Sequence, residues 1–254
     1  MRSLIAVPLS ELSEEKHGGI ICYPRFDGEE FRFRLKELRR LGVSAIEFSG
    51  KTRISDLSVL GKGHVSVVVV AYVDRVRYAL KIRRVDADRL DMSREVEMLK
   101  MANKVGIGPR FYGATKNLIL MELVEGVNIP EWVNTVKGRG RRDRVRKVLR
   151  LILEDCRRLD KAGLDHGELS RAPKHVIVEG DRPRIIDFES ASTTRRAANV
   201  TSICQFLFIG SQVAESLRRI LPSISRDKLI EALRGYKVEP TRERLKKILE
   251  VCSL

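Results

Sequence analysis

Cysteine is scarce and scattered in this sequence: Cys22, Cys156, Cys204 and Cys252 stand far apart, with no C-x-x-C pair among them. That spacing argues against a disulfide framework and against a thiolate metal cluster, and it reads as four small buried hydrophobes. Aromatic residues make up only 6% of the chain, which argues against a protein that stacks many bases. Long apolar runs are missing as well. Nothing approaches the roughly 20 residues that a spanning helix needs, and "SVVVVAYV" from Ser66 is short and β-branched, as a buried strand is. The first residues, "MRSLIAVPLSELSEEKHGG", combine a weak apolar stretch with early acids, so no secretory leader and a cytoplasmic location are expected. Glutamine occurs only twice, at Gln205 and Gln212, beside abundant Arg, Lys and Glu, a bias that suits a hyperthermophile.

Positive charge is what the chain has most of. Lys and Arg number 49 against 34 acids, a formal net charge of +15 spread over 254 residues. Such a field attracts polyanions: nucleotides, RNA, ribosomal particles or acidic proteins. The densest run, "RGRRDRVRKVLR" from Arg139 to Arg150, reads equally as a solvated helix face and as an RNA contact. With 43% hydrophobic residues there is ample material for one large core or two smaller ones.

Pattern divides the chain into three stretches. Residues 1–55 form a small α/β extension, in which "GEEFRFRLKELRRLG" sets Phe31, Leu35, Leu38 and Leu41 at helical spacing before Gly42, and "SAIEF" follows as a strand. Residues 56–124 read as a five-stranded antiparallel sheet with one helix. In it, "LSVLGKGHVSVVVVAYVDRVRYALKIRR" gives strand, glycine turn, strand, tight turn at Asp74-Arg75, strand. The helix "SREVEMLKMANKVG" has Ser93 as its expected N-cap, and "PRFYGATKNLILMELVEG" supplies two more strands. Residues 125–254 are mainly helical. Val145, Val148, Leu149, Ile152, Leu153, Cys156 and Leu159 line one face of a long helix ended by Gly163, a hairpin turns at Gly180-Asp181, and helices start near Asn199, Arg226 and Thr241. The fold class is α+β, with a small β lobe followed by a helical lobe.

The chemistry-bearing residues occur along this frame in a fixed order. "GKGHVS" offers Gly61, Lys62 and Gly63, with Ser66 where a third glycine would stand, and such a turn lets backbone N–H groups approach phosphate oxygens. Lys81 lies between Leu80 and Ile82 in a strand and suits the role of a buried phosphate-binding cation. Glu95, with Glu97 as the competing candidate, would anchor that lysine. In "LILMELVEG", Met121 would border a base pocket, and backbone groups at Glu122 and Val124 would meet the base edge. "HGEL" brings the carboxylate of Glu168, and "RIIDFE" places Asp187 at a strand end, where Mg²⁺ would sit.

Taken in order, these motifs resemble the protein kinase superfamily over about residues 57–225. "HGELS" is similar to the H-x-D-L-S loop of RIO kinases, of the kinase subunit of the KEOPS tRNA-modification complex, and of an archaeal group of RIO-like Ser/Thr kinases. The resemblance implies a two-lobed kinase-like fold. It also implies ATP and Mg²⁺ or Mn²⁺ as cofactors and transfer of the γ-phosphate to a Ser or Thr of a protein, the chain itself included. Glu168, Lys81 and Asp187 would be the catalytic residues. No membrane partner is implied.

Four departures bear on that reading. Glu168 replaces the usual Asp, one methylene longer, and a misplacement of about 1 Å costs on the order of 100-fold in rate. The second metal position falls on Pro173 when counted without gaps, or on His175 with two inserted residues; the latter keeps "HVIV" in register with "RIID" and gives a ligand better suited to Mn²⁺. Gly167 stands where many kinases have Arg. After Glu189 and Ser190 there is little room for an activation segment, and no Ala-Pro-Glu appears. Two other readings stay open: an RNA- or ribosome-associated ATPase or nucleotide switch, and a nucleotide-binding pseudokinase.

Overall fold

Residues 6–254 are described in a computed structural model of the chain. The chain divides into two units, Met1–Glu97 with Arg110–Leu123, and Met98–Pro109 with Val124–Leu254. Of the extension expected over 1–55, residues 1–5 lie outside the described residues.

The first unit is built on a strand that has no exposed face. In β6 (Ser66–Val73) the β-branched run is buried almost throughout, and it pairs antiparallel with β7 (Val76–Arg83) from Ser66↔Arg83 to Val73↔Val76. Asp74 and Arg75 form the two-residue turn, both with positive φ (49° and 67°), the geometry that matches strand twist in a tight hairpin. On the far side of β7 lies β9 (Leu118–Glu122), and beyond it β8 (Phe111–Ala114). Among the described residues the sheet has seven strands, where the sequence suggested five. The strand expected near Leu57, β4 (Leu57–Val59), pairs with β3 (Thr52–Ile54) in a ladder of its own, and β5 (Gly61–Lys62) takes its place beside β6. Because β5 covers only Val67 and Val68, the rest of that edge needs a partner. β2 (Ala45–Glu47) supplies it against Val70–Tyr72, and β1 (Ala6–Pro8) pairs with β2.

Side-chain alternation then sorts the two faces. Val67, Val69, Ala71, Leu80, Ile82, Leu118 and Leu120 share one core with Ile20 and Ile21 of α1 (Glu14–Ile21) and with Phe31 and Leu38 of α2 (Gly28–Arg40). Lys81, with its cross-strand partners Val68 and Ile119, belongs to the opposite face. The helix α1, which the sequence pattern did not reveal, is capped by Ser13, whose side chain accepts from Lys16 N. α2 also buries charge. Arg34 donates to Glu30 and to Ile21 O, while Glu37 accepts from Asn117 N (3.0 Å) and Nδ2 (2.9 Å). The last helix of this stretch, α3 (Ser93–Lys104), starts one residue earlier than expected. Ser93 is its first residue rather than its cap, and the Asp91 carboxylate accepts from Ser93 N at 2.9 Å.

The second unit centres on α5 (Arg141–Lys161). All seven residues expected on its apolar face are buried, and the helix ends with Gly163 at φ +68°, which lets Leu164 N bond back to Leu159 O. A three-stranded sheet joins β10 (Val127–Asn128), β11 (Val176–Glu179) and β12 (Arg182–Ile185), the last two forming the expected hairpin through Gly180-Asp181. Arg144 of α5 binds Asp181 through both its Nε and Nη2. Around these pack α4 (Ile129–Thr135), α6 (Asn199–Cys204), a π turn over Gln205–Ile209, α7 (Gln212–Arg218), α8 (Arg226–Val238) and α9 (Arg242–Val251). Thr241 caps α9, its hydroxyl accepting from Arg244 N. Among the described residues no helix is long and apolar enough to cross a membrane.

Glu47 gives this arrangement a pH signature. Burial pushes its carboxyl up, but hydrogen bonds from Ser49 (2.6 Å), Tyr72 (2.6 Å) and Arg77 (3.1 Å) outweigh burial, and the net shift from 4.5 is downward. A depressed carboxylate stabilises the fold above its unfolded pKa and loses that contribution as pH falls through the folded value. The wild-type melting temperature is therefore expected to fall as pH drops below 4.5. Glu47→Gln should start lower at pH 7 and fall less steeply over the same range; parallel curves for the two proteins would contradict this role for Glu47.

Candidate active site

In the first unit the glycine turn runs from β5 into β6, closed by Gly63 N to Ser66 O at 2.8 Å. Neither Gly61 nor Gly63 has positive φ. A Cβ on Gly61 would meet nothing within 4 Å, and one on Gly63 only Ser66 O at 3.7 Å. The chain's own packing leaves room for side chains at both, so the fold itself does not require glycine at either. Lys62 is exposed and points along Tyr23, its Nζ 3.4 Å from the hydroxyl. Arg84 lies over the same ring and donates to Gly63 O at 3.0 Å, pinning the turn. Ser66 is buried at the head of β6.

Lys81 sits in an interior strand, β7 having β6 on one side and β9 on the other. It is 2% exposed, and its Nζ donates to Glu95 Oε1 at 2.6 Å, Glu95 being 4% exposed. Glu97, the competing anchor, is exposed. Burial of one partner requires burial of the other, since an ammonium stripped of water needs a counter-charge. Met121 and Glu122 end β9, paired with Ala79 and Tyr78, and Glu122 Oε2 accepts from Arg110 N. Val124 is half-buried and counts with the second unit.

In the second unit the loop carrying Glu168 is held by Asn199. Its Oδ1 accepts from His166 N (2.8 Å) and its Nδ2 donates to Leu164 O (2.7 Å) and to Asp160 (2.8 Å). His166 is fully buried, and burial pushes its imidazole down to about 4, so the ring is neutral near pH 7. Its Nε2 lies 3.0 Å from Ile186 O, a carbonyl that can only accept, which fixes the proton on Nε2. The ring lies tilted against Phe188 (centroids 5.1 Å apart) and edge-on to His175 (5.4 Å). Gly167 has φ +89°, and a Cβ there would come within 2.5 Å of Arg195 Nη2 and 2.7 Å of Ser190 O. Arg195, anchored on Asp165 at 2.9 Å, thus fills the space that a side chain at 167 would need.

Glu168 is engaged at both oxygens. His175 Nε2 lies 3.0 Å from Oε2, and Ser190 Oγ donates to Oε1. His175 in turn is joined to the segment between β12 and Asp187, since Ile186 N donates to His175 O at 2.9 Å. Asp187 is exposed and holds φ +70°, an uncommon conformation for a residue other than glycine. Pro173 is exposed in the preceding turn, while His175 stands beside Glu168. Among the described residues no group of three or more His, Cys, Asp and Glu could hold a metal ion. One orphaned atom fits a ligand nonetheless. His175 Nδ1 is buried with no hydrogen-bond partner, while its Nε2 faces a carboxylate, the pairing seen where an imidazole binds metal through its other nitrogen. Mg²⁺ bound to nucleotide needs few protein ligands, because water and phosphate complete its shell.

Sequence reasoning did not single out Asn199 beyond a helix start, nor Arg195 and Ser190 as partners of this loop. Each meets the loop through hydrogen bonds that span 22 to 35 residues, which leaves no spacing signal. Removing the ammonium tests the first unit. Lys81→Met is expected to cost about 3 kcal/mol or more in urea unfolding, with most of it recovered when Glu95 is also made apolar. A loss under about 1 kcal/mol would contradict a buried pair.

Comparison with known proteins follows this geometry. The family model of the RIO domain matches residues 68–202, more than half of the chain. No match was found among curated protein sequences. Among solved structures, the chain is similar to the Rio2 kinase–ADP/Mg²⁺–phosphoaspartate complex from Chaetomium thermophilum. The identity is 17% and the TM-score 0.48, over 89% of this chain and 76% of that one.

Proposed function

The chain belongs to the RIO domain family of atypical protein kinases, and we propose that it transfers the γ-phosphate of ATP to a serine or threonine of a protein, itself included. The observation that carries the reading is the Lys81–Glu95 pair on an interior strand downstream of a glycine turn whose glycines the fold does not require. In this reading Gly61, Lys62, Gly63 and Ser66 cover the phosphates, Lys81 neutralises them, and Met121, Glu122 and Val124 receive the base. Asp187, with Nδ1 of His175, would hold Mg²⁺ or Mn²⁺, which would draw charge from the phosphates. Glu168 orients the acceptor hydroxyl and takes its proton as the P–O bond to ADP breaks. The partition into an extension (1–55), an N-lobe (56–124) and a C-lobe (125–254), and a cytoplasmic setting, go with this proposal.

The alternative of an RNA- or ribosome-associated ATPase rests on the net charge of +15. The basic run gives it less than its length suggests, because Arg142 donates to Ile220 O and Arg144 is bound to Asp181. A pseudokinase would keep nucleotide binding and lose transfer.

Radiolabelled γ-phosphate transfer with Mg²⁺ or Mn²⁺, counting phosphoprotein and free phosphate separately, distinguishes the three. Labelled protein from wild type, abolished in Asp187→Ala, is the expected outcome. Free phosphate without labelled protein, rising with added RNA and falling steeply with salt, would favour the ATPase. Nucleotide binding with neither product would favour the pseudokinase.

A further inference from the structure

We infer that Ser190 is a positioning residue for Glu168, an assignment that rests on the kinase reading and goes beyond it. A glutamate has one more rotatable bond than the aspartate it replaces, so its carboxylate reaches a defined point only if something other than its own stem fixes it. Two donors do so here. Ser190 Oγ donates to Oε1, and His175 Nε2 lies 3.0 Å from Oε2. A carboxylate oxygen can only accept, so the nitrogen that faces it at this distance carries a proton and donates. The donors flank one hairpin: His175 directly precedes β11, and Ser190 follows β12 by five residues. A carboxylate gripped at both oxygens keeps its plane as well as its position.

Ser190 is itself held in place. Its carbonyl accepts from Arg195, whose Nε is bound to Asp165, and Ala191 N bonds back to Phe188 O at 3.1 Å. Two residues on, Ser192 exchanges both backbone hydrogen bonds with Asp165, at 2.9 and 2.8 Å. The segment after Asp187 is thus a short turn tied at both ends, not a long loop free to enter and leave a site. A hydroxyl fixed in this way suits a permanent partner of the carboxylate. An acceptor hydroxyl must leave with its phosphate. The short turn that replaces a long activation segment therefore has a positive role: it delivers the donor that a longer catalytic side chain needs.

The test is a double-mutant cycle on single-turnover loss of γ-phosphate from ATP, in wild type, Ser190→Ala, Ser190→Thr, Glu168→Ala and the Ser190→Ala/Glu168→Ala double variant. Affinity for a fluorescent ATP analogue and melting temperature are followed alongside. Ser190→Ala is expected to slow transfer on the order of 10- to 100-fold at unchanged nucleotide affinity, and Ser190→Thr to restore it. In the Glu168→Ala background the serine change should add no further loss, because residues acting as a unit are not additive. Should the alanine variant unfold, Ser190→Cys, of similar size and with a weak donor, replaces it in the same cycle. Equal rates in wild type and Ser190→Ala, an equal loss in both backgrounds, or phosphate mapped onto Ser190 itself would overturn the inference and leave the kinase reading standing. No transfer by folded, nucleotide-binding wild type would overturn both.

Discussion

A buried ammonium is tolerated only beside a counter-charge, and the first unit is arranged to meet that demand at Lys81. Stripping an ion of water costs several kcal/mol, which the attraction of a well-placed carboxylate offsets. Glu95 is that carboxylate, 2.6 Å away and as deeply buried as the lysine. Sheet alternation makes the arrangement possible. Leu80 and Ile82 face the core shared with α1 and α2, which turns Lys81 between them to the other side. The first fifty-odd residues thereby acquire a role that their sequence did not announce: two helices and two strands that back and widen the sheet bearing the lysine.

The second unit solves a matching problem with hydrogen bonds. On the proposed reading its critical group is the Glu168 carboxylate, half-buried and one methylene longer than the aspartate usual in such loops. Backbone support comes from Asn199, whose amide bonds both the His166 N–H and the Leu164 carbonyl. Asp160 holds that amide and also accepts from Asn199 N and Val200 N at the start of α6. Neutral His166 packs against Phe188 and so ties the loop to the strand end carrying Asp187. Gly167 belongs to the same scheme. The arginine common at that position elsewhere would collide with Arg195, which secures the turn containing Ser190.

What the sequence made legible follows the range of each signal. Local patterns were readable: the Asp74-Arg75 and Gly180-Asp181 turns, the apolar face of α5 and its glycine stop, and the α+β order of elements. Lys81 was readable too, because apolar neighbours on a strand betray a buried charge. The sheet's width was not, since the pairing of β2 with β6 joins residues more than twenty apart. Nor was the burial of Arg34 and Glu37, because charged residues on a helix ordinarily mark its wet face and only the fold brings Asn117 to Glu37. Ser93 misled as a cap because the helix already starts at it, its own N–H being held by the Asp91 carboxylate two residues earlier. Ser190 was invisible for a related reason: a hydroxyl meeting a carboxylate across 22 residues has no period and no motif.

The central claim is that a glutamate serves as the catalytic carboxylate. The most direct measurement is the single-turnover rate of γ-phosphate transfer from ATP in wild type and in Glu168→Gln, which keeps the side chain's length and removes its charge and basicity. The account predicts transfer by wild type and a loss of about 100-fold or more in the variant, the range that a general base contributes. Equal rates in the two proteins would contradict it.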